Sequence, residues 1–561
     1  MNKTPLRWRR IFPRRLPLGV LRVFLIAGVF VAIAGCEDQL GTGGTGELVV
    51  PRKTLHQVEP LDLGRSIAQT LPTTAPSTRP ATQPVAEVTL SIEECRRLAL
   101  QNNLDVKVQL FTPAIAQTGL TEAEAQFEAV FTTSVNGATS KNPTTPGQST
   151  ARTDELTPSA GLGIPLRTGG FLQLNVPLDY VHSHNTGPFD TIWNTDPSIS
   201  FTQPLLRGAG LYVNTQGIRI AFFELQRSQA LTKLEIIRVL ADVDRVYWQL
   251  FAAREELKVR KREYDLSVAQ LERARHQAAV GMIAEVDVVR AQSGVADNVE
   301  NIIVAQNTVR QRQRDLKRIL NDPTLPLDDA RTDLVPGTPP APFPYDLDPQ
   351  HLTDAALHQR MEMLELELQL AEQAANVRVA RNDMLPLVSL QYVYSTAGLG
   401  TTANQAINQA WERSADSHRL GIQLEVPIGN EAARSRLRRA MLTRMQTLAS
   451  REQQALQIRQ DIANAVDTLN TDWQRIVAAR ERVVLAARTL DVEIRQYNQQ
   501  LRTSTEVLDA QIRLADAQLA EVSAVTDYQV AQVDIAFATG TVLGAAHVDW
   551  QAPPQPTVPR Y

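Results

Sequence analysis

Two stretches of this chain carry the same long heptad ladder, and no other feature restricts the fold as much. In the second stretch, Ile462, Val466, Leu469, Trp473, Ile476, Arg480, Val483, Ala487, Leu490, Ile494, Tyr497 and Leu501 recur at alternating steps of four and three. That period keeps one stripe of a helix facing a partner along its length and predicts a coiled-coil seam. A shift of 219 residues carries Ile462 onto Val243 and reproduces the ladder through Tyr247, Leu250, Arg254, Leu257, Lys261, Tyr264, Val268, Leu271, Arg275, Ala278 and Met282. Lys261 and Arg480 then fall on one shared basic step. The same shift lays Asp287-Val288-Val289-Arg290-Ala291-Gln292 over Glu506-Val507-Leu508-Asp509-Ala510-Gln511, so the chain reads as a sequence duplication. In both copies the heptads pause, around Gly281 and around Thr503-Ser504-Thr505, and then resume, as through Val295, Val299, Ile302, Val309 and Leu316 in the first. Each repeat therefore ends in a helical hairpin. One unbroken helix from Leu205 to the tip near Gly281 would span 76 residues, about 110 Å at 1.5 Å per residue.

Before each ladder the period changes to two. Leu172, Leu174, Val176, Leu178 and Tyr180 alternate with Gln173, Asn175 and Asp179, and Ala160, Leu162, Ile164 and Leu166 form a second row joined to them by the Arg167-Thr168-Gly169-Gly170 turn. Phe127 to Val135 and Ile199 to Pro204 bring the first repeat to four expected strands. In the second repeat, Val388, Leu390, Tyr392 and Tyr394 make one row and Leu420, Ile422, Leu424, Val426 and Ile428 another. One apolar and one polar face over about 9 to 11 residues is what a strand of a transmembrane barrel requires, because backbone groups in lipid must all be paired. One chain has too few strands to close such a barrel, and its seams need neighbours on both flanks. The fold class expected is mainly α with a transmembrane β part: an oligomeric β-barrel joined to a long tube of helices, with two repeats per chain.

Outside the repeats the chain is of a different kind. Arg7, Arg9, Arg10, Arg14 and Arg15 precede an apolar run from Val20 to Ala34, which reads as an export signal. Its end, Ile33-Ala34-Gly35-Cys36, resembles the lipobox of bacterial lipoproteins, which makes Cys36 the expected lipidation site and leaves Cys95 without a disulfide partner. Cys95 is expected to be a small buried residue on a helix. The Gly-rich and Pro/Thr-rich residues up to Pro84 read as a tether. The organisation expected is a signal peptide at 1–35, a lipid-anchored tether at 36–87, a first repeat at 88–321, a Pro-rich connector at 322–349, a second repeat at 350–545 and a tail at 546–561. With 57 basic against 61 acidic residues, nothing points to nucleic acid.

Several segments carry a family resemblance in the right order. Thr89-Leu90-Ser91-Ile92-Glu93-Glu94 followed by Ala99-Leu100-Gln101-Asn102-Asn103, the strand entry Met384-Leu385-Pro386, Gly281 with Asp287-Val288, and Arg502-Thr503-Ser504-Thr505-Glu506-Val507-Leu508-Asp509-Ala510-Gln511 look like TolC-like outer-membrane efflux proteins, over residues 88 to 545. The resemblance implies a homotrimeric exit duct in the outer membrane, of a tripartite efflux or type I secretion system, engaged by a periplasmic adaptor and an inner-membrane transporter. It further implies a periplasmic gate in which Tyr497 and Arg502 bond Asp287 while Glu506 and Asp509 line the constriction, with the hairpin tips Gly281, Met282, Thr503 and Ser504 meeting the adaptor. This sequence departs from the family pattern of two strands per repeat. Phe127 and Ala291 are 164 residues apart, against 125 between the equivalent Leu385 and Ala510, and the excess of 39 matches an extra hairpin near 158–182.

No catalytic constellation accompanies these features, and no cofactor is expected. His182 and His184 form an HxH on a strand without a third ligand at suitable spacing, and Gly161-Leu162-Gly163 lacks the strand-to-helix setting of a phosphate loop. The competing reading is a non-conducting coiled-coil scaffold that tethers envelope layers, and the amphipathic strands argue against it.

Overall fold

A computed structural model describes residues 86–142, 151–184, 190–329, 332–499 and 501–548. Cys36, the signal segment, the tether up to residue 85 and the tail beyond residue 548 lie outside those residues.

The chain opens with β1 (Ala86–Leu90), α1 (Ile92–Asn102) and α2 (Leu104–Ala125). The Ser91 hydroxyl accepts from the Glu94 amide at 3.2 Å and the Asn103 side chain from the Val106 amide at 3.1 Å, each satisfying a donor that a helix start leaves free. β1 pairs in parallel with β8 (Thr332–Pro336), a strand inside the Pro-rich connector that composition does not reveal. Leu90, Cys95, Tyr247, Leu250, Leu316 and Leu334 share one apolar cluster at the base of the first hairpin. Burial pushes the Cys95 thiol up to about 12. Beside it, Arg96 grips Asp244 with two bonds, Nε to Oδ1 at 2.8 Å and Nη2 to Oδ2 at 2.7 Å.

The period-two segments form one sheet. It contains β2 (Val130–Asn142), β3 (Ala151–Pro165), β4 (Phe171–Pro177), β5 (Asp179–His184), β6 (Thr191–Thr195) and β7 (Ser198–Pro204) from the first repeat. β9 (Leu387–Thr396), β10 (Gly398–Gly400) and β11 (Asp416–Glu425) come from the second. β4 and β5 pair with successive parts of β3, β6 and β7 continue one another against them, and β10 continues β9. Nine segments thus follow six antiparallel paths, four in the first repeat and two in the second. The register sorts the side chains: Phe131, Leu162, Leu174, Ile199 and Tyr394 stand in one row across five paths, and Thr132, Gly161, Asn175, Ser198, Ser395 and Ser417 in the next row on the opposite face. Adjacent pairs share a face while successive residues alternate, so the part of the sheet nearest the helices has one apolar side and one polar side, while Asp154, His182 and His184 continue the apolar face at the far end of β3 and β5. The first strand starts three residues later than expected, at Val130 rather than Phe127, because the chain leaving α2 turns through Phe127 and Glu128, whose amides bond Glu124 and Ala125 carbonyls.

A short α3 (Leu211–Asn214) leads to α4 (Gln216–Ala279), which returns as α5 (Glu285–Leu320). The helix does not run unbroken from Leu205. Gly208 and Gly210 hold φ of 76° and 96°, which breaks the chain between β7 and α4. The 64 residues of α4 still reach about 96 Å. The second repeat has α6 (Pro349–Gln359) and α7 (Met361–Asn382), then its strands, with α8 (Ala403–Trp411) inserted between β10 and β11. It ends in α9 (Glu431–Asn498), α10 (Ser504–Thr539) and α11 (Val542–Ala545). The long helices pack side by side in the order α5, α4, α10, α9.

The ladders bury their apolar steps near the base, with Val243, Tyr247, Leu250, Ile462 and Ile476 fully enclosed. Toward the tip the first ladder shifts. Lys261 and Arg275 face solvent, and Glu263, Ser267, Gln270 and Ala274 are buried beside the seam residue Leu271, because α4 there meets α5 partly through the apolar cluster of Leu271, Ala274 and Ala291 and meets α5 and α10 also through polar side chains.

Candidate gate at the helical tips

The two tips are built alike because they share a backbone bond. The Met282 amide donates to Gln277 O at 2.8 Å, and the Leu501 amide to Gln496 O at 3.0 Å, which is the 219-residue shift repeated in hydrogen bonds. Gly281 supplies the left-handed residue of this turn, at φ 74°, the conformation that lets a helix end without a Cβ clash. Leu501, expected to close the seam, is exposed, since the chain has already left the helix at that point.

The return helices begin next. Thr503 is the N-cap of α10 in a capping box with Glu506: the Thr503 amide donates to Glu506 Oε2 at 2.7 Å. Asp287 occupies the equivalent position near the start of α5, four residues from Ile283, and an acid there also suits the positive end of the helix dipole. Arg502 donates from Nη1 to Glu506 Oε1 at 2.7 Å and from Nε to Gln496 Oε1 at 2.9 Å, with Glu493 at 3.4 Å. The Thr503 amide and the Arg502 guanidinium together hold the Glu506 carboxyl below its ordinary range.

The expected latch is therefore rearranged within one chain. Arg502 bonds its own hairpin, not Asp287, because Glu506 stands four residues ahead of it and Gln496 six residues behind it, at the end of α9. Asp287 pairs with Arg290 at 3.3 Å on its own helix. Tyr497 does cross to the first hairpin, but its hydroxyl donates to Gln277 Oε1 at 2.6 Å. Tyr497 is buried among Leu490, Val507 and Ala510, and that burial pushes its hydroxyl pKa up. Asp509 is exposed and Glu506 half-exposed. Of the four residues expected to face an adaptor, Gly281, Met282 and Thr503 are exposed and Ser504 is not. Ser504 is the first residue of α10, and its Oγ accepts from Gln270 Nε2 of α4 at 3.2 Å.

Sequence reading missed this polar layer. Besides Tyr497–Gln277 and Gln270–Ser504, Asn298 Nδ2 of α5 donates to Ser267 Oγ of α4 at 3.0 Å. Three side-chain bonds thus tie four helices together near the tip where the ladder predicted apolar packing. Glu263, Ser267, Gln270 and Gln277, spaced in threes, fours and sevens on the face beside the ladder, are the signal that could have shown it. His182 and His184 lie on β5 with rings 4.4 Å apart, bonded to Thr191 and Asp154. Neither approaches the tips.

On both outer edges of the helical layer, apolar side chains stand uncovered: Ile303 and Val304 on α5, Val484 and Leu485 on α9. No helix among the described residues is long and apolar enough to cross a membrane. The sequence profile of outer membrane efflux proteins matches residues 191–322 and 352–541, one block per repeat. The chain belongs to the outer membrane efflux protein family. The fold of this efflux protein is that of the outer-membrane channel OprN (18% identity over 80% of this chain and 90% of that one, TM-score 0.58). It is equally similar to the Campylobacter jejuni CmeC outer membrane channel (15%, 80% and 85%, TM-score 0.59) and to VceC from Vibrio cholerae (14%, 80% and 96%, TM-score 0.59). No curated protein matches its sequence. Membership makes it an outer-membrane channel with a periplasmic helical extension, and a conduit rather than an enzyme. The interruption between the matched blocks falls on the connector, and the first block begins at residue 191, after β3, β4 and β5.

Proposed function

We propose that this efflux protein is a homotrimeric duct whose helical tips form its periplasmic gate, that a periplasmic adaptor docks on the exposed turns at Gly281, Met282 and Thr503, and that an inner-membrane transporter supplies the cargo and the energy. Acylation of Cys36 would hold the chain to the outer-membrane lipid. The observation that carries the gate is the polar layer at the tip. Helices that must part and let water between them lose little when the contacts broken are hydrogen bonds that water can replace, whereas an apolar seam would resist parting.

The order of helices supports the reading of the remaining gate residues. Asp287 begins α5 and Arg502 ends the turn after α9, and these helices are the two outer edges of the layer. Where one copy meets the next, the α9 edge of one lies against the α5 edge of the other. The Arg502–Asp287 pair belongs to that junction, with Arg502 exchanging Glu506 for the neighbour. Asp509, and Glu506 once released, then repeat about a threefold axis and present negative charge to the mouth. The reading is tested by recording purified protein in planar bilayers. A narrow, cation-preferring conductance that widens when tip contacts are removed is expected, and a tip-insensitive conductance would overturn the gate.

A further inference from the structure

The residues that depart from the family pattern are not an appendage of the sheet. β3 bonds β2 along its whole length, from Val130↔Gly163 to Asn142↔Ala151, and on its other side it bonds β4 and β5. β4 and β5 in turn bond β7 and β6. The extra hairpin is therefore inserted into the wall, between the path of β2 and the path of β7. We propose that three copies close into one barrel of eighteen strands, β11 of each pairing antiparallel with β2 of the next; this rests on the trimeric duct proposed above.

Three features of the single sheet support closure in this form. First, parity: six antiparallel paths alternate in direction, so β2 and β11 run opposite ways and can meet as an antiparallel pair, as an even-stranded barrel requires. Second, facing: Phe131 and Val135 of β2 belong to the same apolar side of the sheet as Leu420, Ile422 and Leu424 of β11, by the register that links them. Joining the edges continues one lipid-facing belt and one polar lumen without a switch. Third, the edges themselves: the outer edges of β2 and β11 have no partner strand among the described residues, and open edges are not tolerated in lipid.

The extra strands change the width of the duct. With strands about 4.8 Å apart and tilted by about 40°, eighteen of them enclose a backbone circle about 36 Å across, against about 24 Å for twelve. The membrane section is then too wide to select cargo, and the constriction is left to the tips. Deepening the gate reading in this way also predicts that substitutions on the polar face of the sheet, such as Asn175→Ala, leave single-channel conductance nearly unchanged.

The test is imaging of the full chain in lipid nanodiscs at a resolution that separates strands, together with disulfide trapping. Cysteine at Thr132 on β2, combined in turn with cysteine at Arg419, Gly421 or Gln423 on β11, should give covalent dimers and trimers in membranes for at least one pair, and the particles should show eighteen strands. A twelve-stranded wall with residues 151–184 folded into the lumen, or a gap between copies together with no trapped pair, would overturn the proposal. Either result would leave the duct itself intact, provided the particles remain threefold with a helical tube. Particles without threefold symmetry would overturn the trimeric duct instead.

Discussion

Tyr497→Phe isolates the bond on which the gate depends. It removes one hydroxyl and leaves the ring that fills the space among Leu490, Val507 and Ala510. The lost contact is the 2.6 Å donation to Gln277 Oε1. Gln277 is only half-buried, so water can take over the vacated acceptor, and the net loss is about 1 kcal/mol, the ordinary value for such a bond. Three copies opening together would lose about 3 kcal/mol, a shift in the closed-to-open ratio on the order of 100-fold. Planar-bilayer recording should then show longer or more frequent wide openings, while trimer yield and heat-induced dissociation stay as in the wild type. The neighbouring contact is examined by a cycle of Arg502→Ser, Asp287→Asn and the double variant. If the two residues pair between copies, the double variant should open no further than Arg502→Ser alone. Unchanged conductance in Tyr497→Phe, with the trimer intact, would show that the polar layer is only structural and would refute the reasoning.

Other perturbations separate charge, burial and anchoring. In the open mouth, where Arg502 has returned to Glu506, Asp509→Asn should weaken cation selectivity more than Glu506→Gln, because Glu506 then faces Arg502 while Asp509 is exposed; equal effects in reversal-potential measurements would count against the assignment. The Thr503 amide and the Arg502 guanidinium hold the Glu506 carboxyl below the ordinary glutamate range, so its capping contribution is present at neutral pH and is lost only as pH falls through the depressed folded value; hydrogen exchange at the start of α10 should be flat near neutral pH and rise only in acid. Arg96→Met strands the buried Asp244 carboxylate and should destabilise by about 3 to 5 kcal/mol, whereas adding Asp244→Leu should recover most of the loss in a denaturant titration. The Cys95 thiol, pushed to about 12, should resist iodoacetamide at pH 8 until the chain is unfolded. Radioactive palmitate should label the wild type and not Cys36→Ser.

What could be read from the sequence divides according to how far apart the partners lie. Val243, Tyr247, Leu250 and Ile462, Val466, Leu469 declare themselves because a heptad repeat concerns residues three and four apart, and the structure buries them. The alternation in Leu172 to Tyr180 or Leu420 to Leu424 is equally local, and the sheet keeps its phase across every path. The tip is another matter. Tyr497 reads along the chain as one more ladder step, and Gln270, Gln277 and Ser504 as polar residues beside it, since each has its partner on a different helix, up to 234 residues away. Arg502 is a different case. A resemblance supplied a partner for it, Asp287, but within one chain Glu506 is nearer along the helix and is already fixed by the capping box, so local geometry takes the guanidinium first. A latch that can choose between a partner four residues away and one on the adjoining copy has two paired arrangements of similar chemistry. An arginine poised between two carboxylates is suited to a mouth that must open without leaving a charge unpaired.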